Sequence, residues 1–159
     1  MIYYYGSDNM VWNKYKNIKD ACSWLAEKTK LIELKENSNK KEKIDRGGIY
    51  IVNLGIGNIG SELNRKRPCL IISNDHLNRG DTVVIAPLIS KSILNESKNE
   101  NSHFTLFKSK YTFLKEDSCI MLEEMRCVDK VRINEKIGYM KWKDLDLLKN
   151  KIMYAMGYK

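Results

Sequence analysis

The apolar positions change their period near residue 45. Before it, Ile18, Ala21, Cys22, Leu25 and Ile32 recur at spacings of three, four and seven, which lays them on one face of a helix. Trp12, Tyr15 and Trp24 add aromatic surface, and the helix is predicted to end near Glu36. Residues 37–43 (Asn-Ser-Asn-Lys-Lys-Glu-Lys) hold no apolar side chain and read as a linker, which divides residues 1–45 from residues 46–159.

After the linker the pattern is that of short strands. Gly48 to Leu54 is rich in β-branched residues, and a loop punctuated by Gly55, Gly57 and Gly60 runs from it to Arg67. Pro68 to Ile72 and Thr82 to Ile89 are nearly all apolar, as strands buried on both faces are. A turn-rich connection, Asn74 to Asp81, joins them. The polar run Ile93 to Ser102 reads as a mobile loop. His103 to Phe107, Ser118 to Leu122 and Arg126 to Val128 read as further strands. Leu145, Leu148, Ile152 and Met156 mark a closing amphipathic helix. The fold class expected is α+β, mainly β: a small, partly open barrel with a C-terminal helix and an added N-terminal one. Residues 55–60 spell G-x-G-x-x-G, but no β-α-β unit follows, so a dinucleotide site is not implied.

Charge adds a partner. The chain has 159 residues and a formal net charge of +8, which favours a polyanion such as nucleic acid. Its four cysteines, Cys22, Cys69, Cys119 and Cys127, form no C-x-x-C pair, and only two histidines accompany them, so a zinc site has little support. Cys69 and Cys119 lie in apolar runs and read as buried thiols. No stretch approaches the ~20 apolar residues of a membrane helix, and the opening residues lack a signal-peptide pattern. A soluble protein of the reducing cytoplasm is expected.

Glu62 and Arg67 set a carboxylate and a guanidinium at the two ends of one glycine-rich loop. Cleaving RNA through its own 2′-hydroxyl needs a base for that proton, a cation for the phosphate and an acid for the leaving 5′-oxygen. A guanidinium suits the phosphate because its planar fork makes two parallel hydrogen bonds. By spacing alone, Arg67 fits a surface ion pair equally well and Glu62 a solvated charge.

Further blocks narrow the choice. Arg46-Gly47-Gly48-Ile49-Tyr50, Gly60-Ser61-Glu62, Arg67-Pro68, Ile71-Ile72-Ser73-Asn74-Asp75, Asn78-Arg79 and Glu123 to Lys130 resemble, in order and spacing, the MazF/PemK toxin family. The resemblance covers residues 46–159 and implies an SH3-like or CcdB-like barrel that forms a homodimer. It implies an endoribonuclease working without metal or cofactor on single-stranded RNA, leaving 2′,3′-cyclic phosphate and 5′-hydroxyl ends. It also implies a cognate antitoxin. Arg67 matches the family's catalytic arginine and Glu62 its base or orienting carboxylate. Ser61, Arg65, Lys66, Asn74, Asn78, Arg79 and Glu123 are the implied RNA contacts, and Arg126 with Asp129 an ion pair behind the site.

One departure bears on rate. The family carries threonine where this chain has Ile89, which offers no hydroxyl; Ser90 is the neighbouring substitute and the third candidate catalytic residue. Successive strand residues face opposite ways, so the exchange is not automatic. Gly48 also replaces the aspartate of the family's opening motif, and Asn64-Arg65-Lys66 its small-residue approach to Arg67. Two rivals follow: a weakened module that binds RNA or antitoxin without cutting, and a gyrase-directed toxin resembling CcdB. The N-terminal helix is expected to pack on the barrel through its apolar stripe, with a dimer contact or a shield over the RNA groove as alternatives. His76 is a minor candidate proton carrier.

Overall fold

The structure is a computed structural model describing residues 7–37, 43–56, 58, 60–94 and 101–158, with the side chains of the first helix described from residue 18. Two helices flank seven antiparallel strands. Helix α1 is Ser7–Asn37, one residue longer than its periodicity indicates. The strands are β1 Gly48–Asn53, β2 Lys66–Ile71, β3 Thr82–Ser90, β4 His103–Leu106, β5 Ser118–Met121, β6 Arg126–Asp129 and β7 Ile133–Tyr139. Helix α2, Trp142–Ala155, closes the chain; Leu145 and Leu148 are buried, while Met156 lies beyond its end and is exposed. Most of the linker and of the Ile93–Ser102 loop lies outside the described residues.

The strand order is β4-β5-β3-β2-β1-β7, with β6 also paired to β3. Strand β3 is the pivot: Thr82 to Ile85 pair with β6, and Leu88 to Ser90 with β5. That double pairing makes the sheet a partly closed barrel with side chains on two faces. On one, Ile49, Leu70, Ala86, Leu88 and Ile120 pack beneath α2. On the other, Tyr50, Val52, Cys69, Ile71, Val83, Ile85 and Val128 form a second core. Near α2, Asp144 accepts hydrogen bonds from Lys110 and Tyr111 and ties the helix to the loop after β4.

Strand β7 has no counterpart in the sequence reading. Its Asn134, Glu135 and Lys136 are exposed and only Ile133 is fully buried, so its apolar alternation is too sparse to be seen. It is a strand because β1 pairs with it, Gly48 opposite Tyr139 and Val52 opposite Ile133.

Helix α1 corrects a second expectation. Ile18, Leu25 and Ile32 are 52%, 66% and 50% exposed, so the apolar stripe faces away from the barrel. The adjoining face does the packing: Asp20, Trp24, Glu27 and Lys35 all meet barrel residues.

Candidate active site

Strands β1 and β2 pair from Ile49 opposite Leu70 to Asn53 opposite Lys66, and the loop between them carries Glu62. Its base is pinned by Leu54 N–H to the Arg65 carbonyl (3.0 Å) and Arg65 N–H to the Gly55 carbonyl (2.5 Å). Arg65 takes φ +65, a left-handed conformation that a side chain resists by about 1–2 kcal/mol. That kink delivers Lys66 and Arg67 to the start of β2, where alternation sends their side chains to opposite faces. Arg67 is half-buried, its Nε donating to the Asn64 carbonyl at 2.9 Å, which orients the guanidinium.

The face that receives Arg67 follows from register. The β2–β3 ladder ends at Cys69 opposite Pro87, and alternation puts Arg67 on the face of Cys69 and Ile89 on the face of Pro87, the same side of the sheet. Ile89 pairs with Cys119, and Cys119 with Thr105. In the next row Met121 pairs with His103. Phe104, Leu106 and Ile120 turn into the core under α2, so His103, Thr105, Cys119 and Met121 share Arg67's face. Cys69 lies on it too. Burial pushes its thiol up to about 12, only partly offset by the Arg67 and Arg126 charges, so it is an inert neighbour rather than a nucleophile.

A clamp holds the loop over this face. Arg126 Nη2 donates to Glu124 Oε2 at 2.7 Å and to the Leu63 carbonyl at 3.2 Å, while Leu63 N–H donates to the same Glu124 oxygen at 3.3 Å. Both hydrogen-bonding groups of Leu63's backbone are thus fixed, next to Glu62. Beside the clamp, His103 Nε2 lies 2.6 Å from Glu123 Oε1.

A match to the model of the PemK-like, MazF-like toxins of type II toxin–antitoxin systems spans residues 45–156. The chain belongs to that family. A MazF endoribonuclease of Staphylococcus saprophyticus is 36% identical over 113 residues, 70% of this chain and 90% of that one. MazF of Deinococcus radiodurans shares the fold at TM-score 0.58 and 19% identity, covering 73% of this chain and 98% of that one. A mycobacterial endoribonuclease, solved with its cognate antitoxin, superposes at TM-score 0.56 and 19% identity over 73% and 97%.

For a PemK/MazF chain, the residues marked by the sequence divide into two groups. Ser61, Glu62, Arg65, Lys66 and Arg67 come together at the β1–β2 loop, and Glu123 adjoins it through the Glu124 clamp. Asn74, Asn78 and Arg79 lie past the other end of β2, which runs roughly 13 Å from Arg67 to Ile71 at ~3.3 Å per residue. Asn78 is a structural residue rather than an RNA contact: it is 3% exposed, its oxygen accepting from Ser73 Oγ and its amide donating to the Ser73 carbonyl. Asn74 accepts the Leu77 N–H at 2.9 Å and shapes the turn. His76 and Arg79 are exposed around a shallow cavity of about 380 Å³ at this remote end.

Two further placements depart from the reading. Arg126 pairs with Glu124, not Asp129, which accepts the Val131 N–H and meets Lys35 of α1. Ser90 neighbours Ile89 in β3 and so faces away from Arg67, its Oγ 2.6 Å from Ser92 Oγ. Thr105, paired with Cys119, carries a hydroxyl on Arg67's face. The sequence shows no partner motif for His103, because its partner, Glu123, is twenty residues away. No local motif joins them; the β4–β5 pairing does.

Proposed function

We propose that this chain is the endoribonuclease toxin of a type II toxin–antitoxin system, with residues 46–159 as the catalytic unit. Its substrate is single-stranded RNA in the cytoplasm, cut to 2′,3′-cyclic phosphate and 5′-hydroxyl ends. A cognate antitoxin neutralises it, and the working form is a homodimer. Among the described residues no helix is long and apolar enough to cross a membrane.

The observation that carries the mechanism is Arg67, half-buried at the start of β2 with its Nε on the Asn64 carbonyl, beside a loop fixed at Leu63. Arg67 braces the scissile phosphate as charge builds on its oxygens. Glu62, next to the clamped Leu63, takes the 2′-hydroxyl proton or orients that hydroxyl. Ser61, Arg65, Lys66 and Glu123 border the RNA path. Ser90's orientation favours a site driven by Arg67 and Glu62, with Ile89 in place of a hydroxyl making it slow. Family membership sets the gyrase-directed reading aside.

The test is incubation of purified protein with a long RNA in EDTA, followed by end-group analysis. Cyclic phosphate and 5′-hydroxyl ends are expected from the natural protein. Binding without cleavage would support the weakened module instead.

A further inference from the structure

Helix α1 packs on the barrel by its charged side. Asp20 Oδ2 lies 3.8 Å from Arg65 Nη2, and Glu27 Oε1 lies 3.2 Å from Lys66 Nζ. Between them Trp24 covers the Arg132 guanidinium, 5.1 Å from its ring centroid. Trp24 can seat there because Gly55 has no side chain; a Cβ at Gly55 would stand 3.1 Å from the indole. A helix placed only for burial would use its apolar stripe, yet that stripe is exposed. Along this part of α1 lie three cations, Arg65, Arg132 and Lys66, around the start of β2, while Lys35 anchors the far end of the helix to Asp81 and Asp129. The two carboxylates are seven residues apart on one helix face, roughly 10 Å at ~1.5 Å per residue.

We propose that α1 is a tethered competitor for RNA: Asp20 and Glu27 hold, on Arg65 and Lys66, the positions that substrate phosphates take when the helix lifts away. This rests on the ribonuclease reading. Arg132, which no motif marks, is then a third phosphate contact that Trp24 shields. Arg65, Lys66, Asp20 and Glu27 are all partly exposed, so the pairs are weak and screened by salt, as a seal that RNA must displace requires. A helix held this way lowers apparent RNA affinity by the fraction of time it is seated.

The experiment compares the full-length protein with its Asp20→Asn/Glu27→Gln form. The probe is a fluorescein-labelled, 2′-O-methylated RNA 20-mer, which cannot be cut, read by anisotropy. Loosening two exposed pairs should tighten binding by about threefold to tenfold. Cleavage of an unmodified RNA at sub-saturating concentration should rise by the same factor. In a Trp12→Phe/Trp142→Phe background, saturating 20-mer should shift Trp24 emission towards that of a solvated indole. Equal affinity in the two forms, or Trp24 emission unmoved by bound RNA, overturns the proposal and leaves the ribonuclease reading standing. Failure of every form to bind the 20-mer, with no cleavage, overturns that reading and this one together.

Discussion

Ile89→Thr tests the site most directly. Residue 89 lies two positions beyond the Cys69–Pro87 pair, on the side of the sheet that Arg67 shares. With Arg67 bracing the scissile phosphate as proposed, a threonine hydroxyl on that face is expected to reach it. One hydrogen bond to a developing charge contributes about 1.5–3 kcal/mol, since one partner is ionised. That corresponds to roughly tenfold to a hundredfold in rate. Thr keeps the β-branch that suits a strand. Ile89 is only half-buried, so the new hydroxyl stays hydrated and the stability cost should stay near ~1 kcal/mol. Single-turnover cleavage of a fluorogenic RNA in EDTA reads the rate, and a thermal melt checks the fold. Ser90→Ala is the companion: with Ser90 turned to the other face and bonded to Ser92, its loss should change the rate less than about twofold. A folded Ile89→Thr protein no faster than the natural one, or a crippled Ser90→Ala, would refute the placement of residue 89 at the reacting phosphate.

Three further outcomes are expected. Arg67→Ala should lower the cleavage rate by about a hundredfold or more at unchanged melting temperature, and Arg67→Lys should recover little, because a point charge lacks the fork. Asp144 is buried, which disfavours its charge, but the hydrogen bonds from Lys110 and Tyr111 outweigh this and hold its carboxyl below the ordinary 3.8. Its contribution is therefore complete above pH 3.8 and is lost as pH falls through the lower folded-state value. Asp144→Asn should lower the melting temperature at pH 7 and flatten its decline below about pH 4, as followed by circular dichroism. Gly138→Ala places a Cβ 2.4 Å from the Phe113 ring, and should destabilise by about 1–3 kcal/mol in urea unfolding.

Much of the fold is legible in the chain because local composition and tertiary demand agree. Helix α1, six of the strands and the core of α2 follow from period and punctuation. Strand β7 does not, since an edge strand with one exposed side needs few apolar residues. The seating of α1 does not either: periodicity finds the apolar stripe, but the barrel offers it cations and a bare glycine, so Trp24 and two carboxylates win. Within the site, Arg67 and Glu62 are legible because they share one short loop. The Glu124–Arg126 clamp on Leu63 and the His103–Glu123 contact are not, because pairing across strands assembles them. Asn78 looks like a binding residue in the sequence because buried and ligand-facing amides are the same letters; only burial separates them.

The pairing of β1 with β7 sets when the sheet can be completed during synthesis. Strand β1 precedes the loop that bears Glu62, yet its outer edge is satisfied only by Ile133–Tyr139, near the end of the chain. A ribosome adds residues at about 5–20 per second, so several seconds pass between making one strand and the other. Through that interval the sheet behind Arg67 is incomplete on its β1 side, and the strand that bears the Glu62 loop waits on one made roughly eighty residues later.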